Sequence, residues 1–343
     1  MPRKALLQNW VNQLFAKDFP AGSLQLETAS ADASFRRYFR LVLPDGTSRI
    51  VMDAPPDKED CQPFLAVART FREAGVHVPE VLAHDLEQGF LLLSDLGRVT
   101  YLQALGDRRA ASGLYGDANR ALVAIQLASR AGVLPTYDHN LLARELALFP
   151  DWYLARHLGF RLDERQTRTL QSVFAALLDN NLRQPQVHVH RDYHSRNLMV
   201  VGDAPRSFPA NPGILDFQDA VYGPLTYDLV SLYRDAYIDW PEDLELDFVI
   251  RYWEAARHAG LPVYDDFQAF YRDYEWMGAQ RQLKVLGIFA RLWHRDGKDD
   301  YLKDMPRVMH YLRRTCQRYR ELAPLAKLLD ALDAQPGEVA YTF

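Results

Sequence analysis

With 343 residues, 48% of them hydrophobic, the chain is long enough to bury a large core and to form two lobes. A formal charge of −5 with acids and bases interspersed excludes a broad basic face, so no nucleic-acid partner is expected. Two cysteines, Cys61 and Cys316, far apart and outside any metal-type spacing, exclude a disulfide framework and suit a reducing compartment. Met1 to Asp18 carries Asn9, Asn12 and Lys17 among its apolar positions, so neither a signal-peptide core nor a membrane span is expected, and the reading is a cytoplasmic protein with no membrane partner and no obligate protein partner.

Leu6, Leu7, Trp10, Leu14 and Phe15 recur at helical spacing, and the first segment reads as an amphipathic helix. The period then shortens. Leu24 to Thr28, Tyr38 to Leu43 and Ser48 to Asp53 read as strands, with Pro44-Asp45-Gly46 as a hairpin turn. A helix from about Asp60 to Ala74, stopped by Gly75, precedes strands at Val81 to Ala83 and Phe90 to Leu93. Residues 1–96 therefore predict a small lobe of five strands with helices. Beyond Ser94-Asp95-Leu96-Gly97, residues 97–343 predict a mostly helical lobe. Its helices run from about Ser112 to Ala131, Asn140 to His157, Asp163 to Asn181, Leu225 to Ile238, Leu244 to Ala259, Phe267 to His294 and Tyr301 to Glu321, and Gly202 to Pro212 reads as a Pro-rich surface loop.

The one interruption among the helices carries the chemistry. An apolar run, Val187 to Val189, leads into His190-Arg191-Asp192-Tyr193-His194-Ser195-Arg196-Asn197, and a second, Gly213 to Leu215, leads into Asp216-Phe217-Gln218. Phosphoryl transfer needs a carboxylate to orient the attacking hydroxyl and oxygen ligands for magnesium, and Asp192, Asn197 and Asp216 supply these groups at strand ends and turns. The order of elements then predicts an α+β, bilobal fold of protein-kinase type that uses ATP and Mg2+. Ser94, Asp95 and Leu96 would form a hinge whose backbone reads the adenine edge; the alternative is an ordinary interdomain turn. A second alternative uses His188, His190, Asp192 and His194 as a zinc-binding His-x-His-x-Asp-x-His run, out of register by one residue with binuclear zinc hydrolases and without a visible second half. Outside that reading, His188 is expected to be a strand residue packed under the loop.

His194, two residues after Asp192, and the short stretch from Asp216 to Gly223-Pro224-Leu225-Thr226-Tyr227-Asp228-Leu229 resemble the aminoglycoside phosphotransferase and choline kinase-like superfamily rather than protein kinases, since no activation segment fits. Within it, Ala31 to Arg40, Ile50 to Pro56, Val78-Pro79-Glu80-Val81 and Arg144 to Tyr153 resemble the bacterial anomeric sugar kinases of cell-wall recycling, which act on N-acetylmuramate and N-acetylglucosamine. That resemblance implies ATP-dependent phosphorylation at C1 to give the α-1-phosphate. It also implies that Asp228 hydrogen-bonds the catalytic-loop backbone. His190 and Arg191 are expected to brace the same loop.

The chain departs from the protein-kinase pattern in two places. The loop Ser30 to Phe35 has no glycine, so backbone amides and the Ser30 or Ser34 hydroxyls are the expected phosphate donors, against a simple polar hairpin tip. Met52 stands where the third strand usually carries lysine. Arg36 or Arg37 is expected to compensate, among nearby Arg40 and Arg49, although solvated strand-face arginines would look the same. Glu145, Trp152 and Tyr153 are candidates for a sugar pocket, with core packing as the alternative for the aromatics; Gln218 and Asp219 are further candidates. Other small-molecule kinases (aminoglycoside, choline, homoserine) and a nucleotide-binding pseudokinase scaffold remain open readings.

Overall fold

The structure is a computed structural model that describes residues 3–20, 23–31, 35–202 and 211–333. Helix α1 (Arg3–Leu14) buries Leu7, Trp10 and Val11 on a sheet built from β1 (Leu26–Ala31), β2 (Arg37–Val42), β3 (Ser48–Asp53), β4 (Val81–Asp85) and β5 (Phe90–Ser94). The strand order is β1-β2-β3-β5-β4 and every pairing is antiparallel. Alternation puts Phe39, Leu41, Val51, Phe90 and Leu92 in one core with the α1 residues. At the expected hairpin, Gly46 takes φ 82° and the Asp45 carboxylate accepts from Thr47 N at 2.8 Å. Helix α2 (Gln62–Glu73) buries Phe64, Val67, Ala68 and Phe71, the i, i+3, i+4, i+7 stripe of an amphipathic helix.

After α3 (Tyr101–Ala104), α4 (Ala111–Leu127) and α5 (His139–Leu148) comes a nine-residue π-helical segment, Phe149–His157, where one continuous helix was expected. Pro150 lacks the N–H that would continue the α5 ladder, so the turn widens there. Helix α6 (Glu164–Leu182) opens with a capping box between Asp163 and Gln166. Then follow β6 (Gln186–Val189), β7 (Leu198–Met199), β8 (Gly213–Ile214) and β9 (Val221–Pro224), with β6 paired to β9 and β7 to β8. Helix α7 (Tyr227–Tyr233) stops well short of the expected Ile238. Helices α8 (Glu242–His258) and α9 (Phe267–Asp296) lie close to expectation. The last expected helix is divided into a 3-10 turn, α10 (Met305–Arg318) and a second 3-10 turn. An unanticipated α11 (Ala323–Asp333) follows. Pro306 and Pro324 sit near the starts of α10 and α11, where a missing N–H costs nothing.

Contacts divide the chain into two compact units: Met1–Thr100 with Leu198–Asp219, and Tyr101–Asn197 with Ala220–Phe343. This differs from a single cut after residue 96, because the β7–β8 hairpin and Asp216 group with the N-terminal sheet. The bonds Ile214 N to His77 O and Val200 N to Val99 O, both 2.8 Å, tie them there. In the helical unit, α9 packs against α5, α6, α7, α10 and the π-helical segment. Gly287 makes that approach possible, since a Cβ there would lie 2.4 Å from the Leu148 carbonyl carbon. Among the described residues, no helix is long and apolar enough to cross a membrane.

Candidate active site

The loop after β6 is held from behind by two aspartates. The Asp228 carboxylate, fully buried at the start of α7, accepts from His190 N at 2.6 Å and Arg191 N at 2.9 Å. Asp235, just past α7, accepts from Ser195 N at 2.9 Å and Ser195 Oγ at 2.5 Å. Between these anchors the loop closes on itself: His194 N and Asn197 Nδ2 both donate to the Asp192 carbonyl, each at 3.0 Å. Arg191 takes φ 77°, a left-handed conformation that costs a non-glycine residue roughly 1–2 kcal/mol and persists because the flanking bonds impose it. The Tyr193 ring is buried, with its hydroxyl donating to Ala118 O at 2.8 Å.

Burial pushes the Asp228 carboxyl up to about 7, although the two backbone donors pull it down. The folded state therefore binds this proton more tightly than the unfolded chain, whose carboxyl titrates near 3.8. The stabilisation is complete below the unfolded value and is lost as pH rises through about 7. Asp228→Asn removes the titration. In urea unfolding between about pH 4 and pH 8, wild type is expected to lose stability relative to Asp228→Asn as pH rises; parallel curves would refute the linkage.

Under the loop lies a buried charged network. Arg191 donates to Glu145 Oε1 at 2.6 Å, Lys284 of α9 reaches the same oxygen at 2.9 Å, and Tyr137 and Gln280 donate to Oε2. The Lys284 ammonium also donates to the Tyr227 hydroxyl at 2.8 Å. Glu145 is 6% exposed and both its oxygens are occupied, which corrects the expectation that it lines a sugar pocket. Burial opposes ionisation of Glu145, but Lys284 and Arg191 outweigh it and hold the carboxyl below its ordinary range. Asp192 follows the same logic: burial opposes its charge, while the fields of Lys284, His194, Arg281 and Arg191 prevail and keep it a carboxylate.

Trp152 and Tyr153 lie in the π-helical segment, both half-buried. The Tyr153 ring stacks between Phe149 and His157, with centroids at 5.3 and 5.7 Å.

In the sheet unit, Asp216 follows β8 with φ 60°, the second non-glycine residue in the left-handed region. Its neighbour Phe217 is fully buried against Phe64 and Phe71 of α2, at centroid distances of 4.8 and 6.0 Å, which fixes where the aspartate emerges. Gln218 Nε2 donates to Asp216 Oδ1 at 2.8 Å, so that side chain orients the carboxylate; Asp219 is exposed.

The hinge candidate is fixed by side chains. Ser94 Oγ accepts from Glu80 N at 2.8 Å, and Asp95 accepts from Arg40, Ser48 Oγ and Gly97 N. Leu96 is buried against Gly213, where a Cβ would meet it at 2.9 Å. Met52 is fully buried. Of the nearby arginines, Arg36 pairs with Glu59 at 2.9 Å, Arg37 with the buried Asp53 that Arg3 also reaches, and Arg40 with Asp95. Ser34 lies outside the described residues, and of Ser30 only its place in β1 is described.

Asp216 in the sheet unit and Asn197 in the helical unit each offer a hard oxygen donor of the type magnesium takes alongside waters and phosphate oxygens. Zinc would need three or four converging ligands. Among the described residues no group of three or more His, Cys, Asp or Glu is so arranged, and His188 instead accepts from Arg130 N at 3.2 Å. Asp235, Lys284 and Arg281 were missed by sequence reasoning; the available signal was α9 itself, whose charged residues interrupt an otherwise apolar helix without forming a polar face.

An antiparallel sheet unit and a helical unit, with loop and metal-ligand types in this order, make this an α+β phosphotransferase of the protein-kinase-like fold. Solved structures share it: an ADP-bound aminoglycoside phosphotransferase (TM-score 0.56, 13% identity, covering 90% of this chain and 96% of that one) and a Plasmodium vivax ethanolamine kinase (TM-score 0.61, 11% identity, 90% and 87%). The chain belongs to the phosphotransferase enzyme family, whose model matches residues 25–267. It is 48% identical over the full length of both chains to an N-acetylmuramate/N-acetylglucosamine kinase of Neisseria meningitidis. It is 53% identical to one of Pseudomonas aeruginosa, over 90% of this chain and 88% of that one.

Proposed function

We propose that the protein transfers the terminal phosphoryl group of ATP to the anomeric C1 hydroxyl of N-acetylmuramate and N-acetylglucosamine, giving the α-1-phosphate in peptidoglycan recycling in the cytoplasm. The observation that carries this reading is the identity of 48% and 53%, over nearly whole chains, to kinases named for those two sugars. In it, Asp192 orients the hydroxyl and accepts its proton, a role suited to a carboxylate that neighbouring cations keep ionised. Asn197 and Asp216 are the magnesium ligands, and bound Mg2+ neutralises charge on the phosphates. The backbone of Ser94, Asp95 and Leu96 reads the nucleotide, and Ser30, Ser34, Arg36 and Arg37 are its phosphate-side candidates. Trp152, Tyr153, Gln218 and Asp219 remain the sugar-side candidates, while Glu145 instead positions Arg191. His190, Arg191 and Asp228 support the loop.

The test is ADP release with ATP, magnesium and a panel of N-acetylmuramate, N-acetylglucosamine, choline, homoserine and kanamycin, with the phosphate located by phosphorus NMR. Product phosphorylated at C1 of the amino sugars is expected. A C6 phosphomonoester, or turnover with kanamycin alone, would overturn the anomeric reading, and no ADP release with any acceptor would point to a scaffold.

A further inference from the structure

Among the described residues, four cationic side chains are buried: Arg40, Arg234, Arg281 and Lys284. Three have carboxylate partners. Arg40 pairs with Asp95, Arg234 with Glu245 and Glu275, and Lys284 with Glu145. Arg281 is 6% exposed, its Nε is buried with no hydrogen-bond partner, and among the described residues no ion pair reaches its guanidinium. A buried guanidinium that makes no direct ion pair is costly, and Asp192 and Asp228, which feel its field without bonding to it, leave its donors open to a ligand.

Its position says which ligand. On α9, Arg281 lies one turn before Lys284, whose ammonium reaches Tyr227 and Glu145, and three residues after Gly278, where a Cβ would approach Arg234 Nη1 at 3.1 Å. This side of α9 therefore faces α7 and the underside of the catalytic loop. The field of Arg281 acts on Asp192, His194 and Asp228 together. His194 Nδ1 is a second buried polar atom with no partner.

We propose that Arg281 is the receptor for an anionic oxygen that substrate brings to the Asp192 side of the loop. A planar guanidinium fork suits two oxygens of a carboxylate or of a phosphoryl group. Resting on the proposed function, the candidate anions are the carboxylate that N-acetylmuramate has and N-acetylglucosamine lacks, and the phosphoryl group in transit.

The test compares wild type, Arg281→Met and Arg281→Lys in steady-state kinetics with both sugars, and in melting temperature. A carboxylate contact lowers kcat/KM of Arg281→Met for N-acetylmuramate by about 10²-fold and leaves N-acetylglucosamine within about threefold. A phosphoryl contact lowers kcat for both sugars by about 10²-fold with KM held. Either result supports the receptor when the pH profile of kcat is unchanged, and Arg281→Lys restores part of the loss; a loss with both sugars whose acid limb has moved to higher pH, as a weakened field on Asp192 would give, overturns it. Turnover within about threefold of wild type with both sugars, or a variant that unfolds, would overturn the proposal. Should wild type turn over neither sugar, the proposed function fails separately. The receptor is then judged by whether N-acetylmuramate or inorganic phosphate raises the melting temperature of wild type and not of Arg281→Met; no shift in wild type overturns it.

Discussion

Replacing Asp192 by Asn is expected to lower kcat by about 10²- to 10⁴-fold, the range for loss of a positioned general base. The substitution is nearly isosteric. The loop contacts at this residue, from His194 N and Asn197 Nδ2, go to the main-chain carbonyl and survive the change, so the loop should keep its shape. Nucleotide KM should hold within about threefold, placing the loss in chemistry rather than binding. The direction rests on the state of the carboxyl: burial opposes its ionisation, and Lys284, His194, Arg281 and Arg191 overcome that opposition, so wild type enters the reaction already deprotonated. Steady-state kinetics at saturating ATP would decide it, and near-full turnover would remove Asp192 from the role.

The sheet was legible because its signals are local. β3 falls on Ser48–Asp53 as its alternation predicts, and Pro44-Asp45-Gly46 makes the expected turn. The loop motif was legible for the same reason, since residue type and spacing carry it. What escaped depends on partners distant in sequence. Glu145 has the composition of a pocket carboxylate, and only the approach of Lys284, 139 positions later, makes it a buried counter-ion. Asp235 has no motif of its own, yet it holds Ser195 as Asp228 holds His190 and Arg191. The end of α7 was overestimated because residues 234–238 are compatible with helix; tertiary demands on Arg234 and Asp235 end it. The arginines near Met52 show the limit most plainly: four candidates look alike in sequence, while the fold pairs Arg36, Arg37 and Arg40 with three different acids.

Arg234→Met is expected to cost about 3–5 kcal/mol of stability, the range for removing one partner from a buried ion cluster. The guanidinium is fully buried, donating to Glu245 at 2.7 Å, Glu275 at 2.8 Å and Thr315 Oγ1 at 2.8 Å, with its face 4.9 Å from the Tyr274 ring centroid. Without it, the guanidinium partners left to the two glutamates among the described residues are Arg314 and Arg318, while Tyr274 still donates to Glu245. The two buried acids then lose the fully buried guanidinium they share and keep partners that are themselves partly exposed. The damage reaches the loop after β6, because Arg234 precedes the aspartate that holds both polar groups of Ser195. Urea unfolding gives the stability change, and a loss under about 1 kcal/mol would contradict the cluster's role. Arg281, another buried arginine of the same unit, makes no direct ion pair among the described residues, so its removal should cost less stability than removal of Arg234. A markedly smaller loss for Arg281→Met than for Arg234→Met would show that direct pairing, rather than burial alone, decides how far an arginine in this unit serves the fold.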